Sequence, residues 1–179
     1  MTKFFAAILI ALAACATSSS PPSPAHQQKL ENEAAAALSS MRAQNPGIDS
    51  LLSASAGYAV FPNIGAAGAV YVGGAYGKGV LYQRGTPVGF VTLKQGSVGL
   101  TLGGKTYAEL VLLRTQYDVD KLKAGKFELG GDVSAVVLTA GAGATGTLDP
   151  NTSVIVQPHG GLMGGITVSG QTIEFIPAG

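Results

Sequence analysis

"GLTLGGKT", residues 99–106, satisfies the phosphate-binding pattern G-x-x-x-x-G-K-[ST], and its reading decides the fold. A phosphate loop cradles the anion with backbone N–H groups, reaches the outer phosphates with its lysine and ligates magnesium through its hydroxyl. It needs a strand entering and a helix leaving, with the helix N-terminus aimed at the anion. Here Val98, Leu100 and Leu102 alternate through the place where a loop is required, which is the period of a strand. The next run, "YAELVLLRT" (107–115), is compatible with strand or helix, and no later apolar run ends in an aspartate suited to magnesium. The stretch reads as a strand followed by a Gly103-Gly104 turn. Lys105 is then incidental, and no nucleotide is expected.

On both sides the same texture continues. Short apolar runs separated by glycine extend from Gly57 onward: "YAVF" (58–61), "GAVYV" (68–72), "GVLYQ" (79–83), "VGFVTL" (88–93), "VGLTL" (98–102), "VSAVVL" (133–138), "VIVQ" (154–157), "GITVS" (165–169) and "TIEFI" (172–176). Arg84-Gly85, Gly103-Gly104, Asp149-Pro150-Asn151 and Ser169-Gly170 supply turns. One interruption, "TQYDVDKLKAGK" (115–126), reads as a helix capped by Thr115 or Asp118 and ended by Gly125. Upstream, Ser23 and Pro24 open a helix that Asn45-Pro46-Gly47 stops, with Leu30, Ala34, Ala37, Leu38 and Met41 on one face. A short second helix fits Ile48 to Ala54. The expected fold is α+β: mainly antiparallel β, barrel-like or a coiled sandwich, with an N-terminal helix and one inserted helix. The many strand glycines point to strong curvature or close backbone packing.

The first residues have a different character. Lys3 precedes the short apolar stretch "FFAAILIAL" (4–12), then "LAAC" (12–15), which is the layout of an export signal too short for a permanent span. The ending resembles the bacterial lipobox, in which the cysteine receives a diacylglycerol before cleavage ahead of it. Cys15 is the sole cysteine, so no internal disulfide forms, and acylation accounts for it. Expected units are a signal peptide at 1–14, an acylated Cys15 with a Ser/Pro tether at 15–25, and one domain at 26–179. Ala16 follows the cysteine where an inner-membrane retention signal places aspartate, so the expected location is the outer membrane, with the domain facing the periplasm.

Composition narrows the function. Lys3 leaves with the leader, so ten basic residues face ten acidic ones, and nucleic acid, which calls for a basic excess, is not an expected partner. The 26 glycines lack a period of three, excluding collagen, and 46% hydrophobic residues exclude a disordered chain.

"AGYAVFPNIGAAGAVYVGGAYGKGVLYQRG" (56–85), "GSVGLTLGGKTYAELVLL" (96–113), "GKFELGGDVSAVV" (125–137) and "GGLMGGITVSG" (160–170) together resemble the SYLF domain, also called the Ysc84 actin-binding domain, from about Gln28 to Phe175. The markers are Phe61-Pro62, the Gly73-Gly74-x-x-Gly77-x-Gly79 cluster, Gly96-Ser97-x-Gly99 and Gly160-Gly161-Leu162. The resemblance implies a lipid-binding module; eukaryotic members bind phosphoinositide membranes partly through a basic amphipathic N-terminal helix, some bind actin, and bacterial members are commonly exported lipoproteins. This chain departs from the eukaryotic pattern, because Lys29 and Arg42 are balanced by Glu31 and Glu33 in the first helix. That helix is expected to pack its alanine-rich face on the β domain rather than grip anionic lipid. Actin binding is not carried over to an envelope protein.

The expected function is non-catalytic phospholipid binding by an envelope lipoprotein. The alternative is a structural or partner-protein-binding lipoprotein without specific lipid recognition. Head-group candidates are Lys121, Lys123 and Lys126 around the inserted helix, where Asp118, Asp120 and Glu128 offset them, and Lys78, whose neighbouring glycines expose backbone N–H groups. Lys78 also reads as a solubilising strand-end lysine. No cofactor, metal or catalytic group is expected. His26 and His159 have no metal-ligand partner near in sequence, Ser97 lacks the first glycine of a nucleophile elbow because Gln95 stands there, and Glu128 and Asp132 have no apolar setting.

Overall fold

A computed structural model describes residues 23–69, 72–98, 103–125, 127–130, 134–139, 143–145, 153–159 and 170–178. Helices α1 (Pro24–Gln44) and α2 (Ile48–Ala54) precede strands β1 (Gly57–Ala69), β2 (Val72–Gln83), β3 (Thr86–Val98) and β4 (Gly103–Leu113). Helix α3 (Gln116–Lys123) follows, then β5 (Phe127–Leu129), β6 (Ala135–Thr139), β7 (Gly143–Thr145), β8 (Val154–Pro158) and β9 (Gln171–Pro177). The strands form one sheet in the order β5-β9-β3-β2-β1-β4-β8-β6-β7, antiparallel throughout except where β6 runs parallel to β8. The α+β, mainly antiparallel architecture is therefore as the alternation implies.

Local signals place several boundaries. Pro24 stands in the first turn of α1, where its missing N–H costs nothing. At the other end Asn45 Oδ1 accepts from Gly47 N at 2.9 Å, turning the chain into α2. Thr115 and Asp118 form a reciprocal capping box on α3, and Gly125 at φ 69° leaves it. Arg84 (φ 52°) and Gly85 (φ 79°) close the β2–β3 hairpin in two residues, the left-handed turn that matches strand twist.

Two sequence expectations are corrected. Gly103 and Gly104 are not a turn: they begin β4, paired with Gly68 and Ala67 of β1. Lys105 and Thr106 continue that strand against Ala66 and Gly65, so no helix follows the "GKT". The β1 and β2 strands are also longer than their apolar runs, because glycines read as separators lie inside the ladders. Backbone hydrogen bonds hold these strands where side chains give no alternation to detect. The expected strand at 165–169 and the turn at 149–151 lie outside the described residues.

Each face of the sheet carries a core. On one face α1 buries Ala34, Leu38 and Met41 and α2 buries Ile48 and Leu52, against Tyr58, Val60, Val80, Tyr82, Phe90, Leu110 and Ile155. Tyr58 and Tyr82 stack there, centroids 5.1 Å apart and planes 14° apart. Gln157 Nε2 donates to Ser40 Oγ at 2.8 Å, tying β8 to α1. The alanine-rich face of α1 thus packs on the sheet. The opposite face holds Phe61, Ile64, Leu81, Leu93, Tyr107, Leu113, Val119, Leu122, Leu129 and Ile173. A bulge between Val60 and Asn63 lets Phe61 and Ile64 enter this same core three residues apart.

This second face is curled. Strands β4 and β9 are four places apart in the sheet, about 19 Å if it were flat. Yet Gln171 of β9 donates Nε2–H to Glu109 Oε2 of β4 at 3.1 Å. Helix α3 packs against β4, β5 and β9, bridging the same two sides of the curl.

Candidate functional site

The first turns of α1 meet the middle of β1 and β2 in an open cleft of about 420 Å³. Its walls are His26, Lys29, Leu30 and Glu33 from the helix, Pro62 and Asn63 from the β1 bulge, and Tyr76, Gly77 and Lys78 from β2. The bulge explains the opening: it breaks the regular pairing at Asn63, opposite Lys78. Tyr76 stands 51% exposed at the rim, one of two large exposed apolar side chains among the described residues.

The charges of the cleft are uneven. Lys29 and Lys78 face one carboxylate, Glu33, which lies 3.7 Å from Lys29 Nζ in an exposed i,i+4 pair. Such a pair holds its partners by only about 0.3–0.5 kcal/mol, so Lys29 is free to turn to another anion. Lys78 makes no ion pair among the described residues. His26 accepts or donates at Nδ1 to Ser23 Oγ, 3.1 Å away, leaving its Nε2 unassigned. Two ammonium groups, an imidazole and an aromatic rim suit an anionic group attached to something bulkier.

The structure divides the sequence-derived candidates. Lys78 lines the cleft; Lys121 and Lys123 do not. Lys123 Nζ donates to Gln83 Oε1 at 2.9 Å, and Lys121 Nζ lies 5.8 Å from the centroid of the Tyr117 ring. Gln83 is five residues along β2 from Lys78, about 16 Å away. Lys126 and Cys15 lie outside the described residues, as does Asp132. His159 and Glu128 are exposed, and Ser97 lies within β3.

Sequence reading missed two things. One is Lys29 as a cleft residue, because its pairing with acids in the helix masked its position beside Lys78. The other is Glu109, fully buried on the curled face with Gln171. Burial pushes the Glu109 carboxyl up to about 7, against the opposing pull of the Gln171 hydrogen bond. It also raises Tyr107, two residues away, by burial first and by the Glu109 charge second. Glu109 Oε1 and Gln171 Oε1 are buried without a hydrogen-bond partner among the described residues. The signal was present in "YAELVLL" (107–113), whose two alternating faces are both apolar, so its one carboxylate had to be interior.

Residues 94–175 match the family model described as Ysc84, Las17-binding protein actin regulator. The Ysc84 match runs from Lys94 in β3 to Phe175 in β9, and the sheet joins it to β1 and β2, which carry the glycine cluster of the SYLF resemblance. The cleft residues 26–78 lie ahead of the matched segment. No curated protein matches the chain.

Proposed function

We propose that the chain is a non-catalytic phospholipid-binding module, held at the bacterial outer membrane by acylation of Cys15, that takes an anionic head group in the cleft between α1 and β2. The convergence of Lys29 and Lys78 from separate elements, beside Tyr76, carries this reading. The curled interior supports head-group rather than acyl-chain binding: Phe61, Ile64, Leu93, Tyr107 and Ile173 fill its described part. The anchor fits as well. Eight residues lie between Cys15 and Pro24, nine Cα steps, so the start of α1 and its cleft remain within about 30 Å of the acyl chains. Two or more chains hold durably at about 0.8 kcal/mol per buried CH₂.

The test is vesicle flotation of residues 15–179 carrying Cys15→Ser. Phosphatidylglycerol vesicles are expected to bind the protein and phosphatidylcholine vesicles to bind it far less. Lys29→Glu with Lys78→Glu should lower binding at least tenfold, since each lysine near an anionic surface contributes about 1 kcal/mol. Lys121→Glu with Lys123→Glu should change it less than threefold. Equal binding to both lipids refutes the head-group reading. The family description names a protein-binding regulator, and this favours the second reading, a partner-binding envelope lipoprotein, if neither vesicle binds.

A further inference from the structure

Strands β1 to β4 outrun the rest of the sheet. Pairing of β8 with β4 stops at Tyr107, and pairing of β9 with β3 stops at Gln95. Beyond these points Gly65–Ala69, Val72–Tyr76, Gly96–Val98 and Gly103–Lys105 pair with no strand outside β1–β4 among the described residues, and Thr106 O still accepts from His159 N at 3.1 Å. Five residues at about 3.3 Å each carry this four-stranded end about 16 Å past Ile64, the last large core side chain of β1.

Its surface is unusual. Gly65, Ala67, Gly74, Gly96 and Gly104 are exposed, and the described residues 64–69, 72–77, 95–98 and 103–104 include no Asp, Glu, Lys, Arg or His. Charged side chains begin at its base. Tyr76, Lys78 and Lys94 share the face toward α1, by their alternation with Val80 and Tyr82 and the Tyr76–Lys94 register. Lys105 shares the opposite face with Tyr107. Lys94 is neutralised by both oxygens of Glu174 at 2.8 Å, whereas Lys78 and Lys105 make no ion pair among the described residues. An uncharged end bounded by an exposed tyrosine and free lysines is the distribution found where protein meets the head-group level of a bilayer.

We propose that this glycine-alanine end of β1–β4 is a docking tip that enters the interfacial layer of an anionic bilayer, to a depth set by Tyr76, Lys78 and Lys105. The proposal rests on the head-group reading of the adjoining cleft, to which it adds an orientation. Charge complementarity selects the occupant, because the free groups at the boundary are ammonium groups and the surface beyond them is neutral. Protein partners are anchored by large aromatic or arginine side chains fitted into pockets, and among the described residues the exposed glycines and alanine of this ladder (Gly65, Ala67, Gly74, Gly96 and Gly104) offer none. The described chain also begins at this end: Ser23 and Pro24, to which the tether is joined, precede His26 on the cleft that contains Tyr76 and Lys78. Helix α3 lies at the other end of β2, by its bond to Gln83, and faces away.

The test uses the full acylated chain in vesicles. Because Cys15 is the sole cysteine and is blocked by acylation, an introduced cysteine takes a fluorophore alone. Ala67→Cys labels the tip, and Thr86→Cys labels the opposite hairpin; both positions are exposed. Nitroxide lipids in phosphatidylglycerol vesicles are expected to quench the Ala67 label at least threefold more than the Thr86 label. Lys78→Glu with Lys105→Glu should bring the two labels to parity. Parity in the unmutated chain, stronger quenching at Thr86, or shielding of Ala67 without lipid (a protein contact) overturns the docking tip. If the unacylated protein still prefers anionic vesicles in that event, the head-group reading survives alone. Equal tip quenching in phosphatidylcholine vesicles overturns the anionic requirement, and with it the head-group reading.

Discussion

Glycine does opposite work at the two ends of the β1–β4 sheet. At the packed end it makes room. A Cβ on Gly79 would collide with the carbonyl oxygen of Val60 and lie 2.7 Å from Cδ1 of Phe61. A Cβ on Gly89 would lie 2.5 Å from the Phe175 ring and 2.9 Å from the Ile176 carbonyl oxygen. At the tip two glycines make nothing fit: a Cβ on Gly65 or Gly96 would meet no atom of the described residues within 4 Å, although one on Gly74 would lie 3.1 Å from the Gln95 carbonyl oxygen. One residue type therefore serves close backbone packing in the core and a smooth, uncharged surface beyond it. Glycine content by itself distinguishes neither.

The sharpest break of this comparison is Gly79→Ala. The obstructing atom is a backbone oxygen in a paired strand, so relief requires moving β1 rather than rotating a side chain. Overpacking costs about 1–3 kcal/mol where side chains yield, and more where they do not. A loss of about 4 kcal/mol in urea unfolding is expected, enough to unfold a marginal domain. A loss below 1 kcal/mol would show that β1 and β2 are not held at the described separation.

The second contrast lies between the two cores. The face under α1 is closed by apolar side chains and stacked tyrosines, whereas the curled face encloses Glu109 and Gln171. A proton on Glu109 Oε1 supplies the donor that Gln171 Oε1 lacks, completing a two-bond acid–amide pair with the existing Nε2–Oε2 bond. Tyr107 is the titratable neighbour that feels the charge of this carboxyl, and the α3 residues turned toward the interior, Val119 and Leu122, are apolar. The sign follows from the raised folded pKa. The folded state keeps a proton that the unfolded state has released, so stability is full below about pH 4.5 and falls as pH rises. The slope is about 1.4 kcal/mol per pH unit up to about 7, roughly 3 kcal/mol in all, and levels off above it. Glu109→Gln should remove this slope while the α1 face keeps its fold. An unchanged slope in that variant would assign the pH dependence to other groups.

The same contrast explains how much was legible beforehand. The class of fold, the helix boundaries and the Arg84-Gly85 turn follow from local chemistry: caps, periodicity and a positive φ that few residues adopt. Lengths of β1 and β2, and the start of β4 at Gly103, were not legible, because glycine and alanine give no facial alternation and their strands exist through neighbours in the ladder. The cleft required Lys29 and Lys78, far apart in sequence, to meet across the helix–sheet contact. Glu109 needed only the recognition that both faces of its strand are apolar. The inserted helix was placed correctly, and its lysines were visible for the reason that makes them poor site candidates: they lie together on one short exposed segment.

Gly96→Ala is the smallest effect and the most direct probe of the tip. Glycine within a strand is unfavourable by roughly 0.5–1 kcal/mol relative to alanine, because the unfolded chain loses more freedom on ordering. Gly96 carries no positive φ to reserve it for glycine, and its Cβ would enter open space. Stability should therefore rise by about 0.5 kcal/mol, opposite in sign to Gly79→Ala although both glycines lie in adjacent strands of one sheet. Urea unfolding of the two variants beside the unmutated chain reads the difference. A loss of more than 1 kcal/mol at Gly96 would mean that another part of the chain lies against this surface in solution. The tip would then already be occupied, and a bilayer would have to displace that cover before docking.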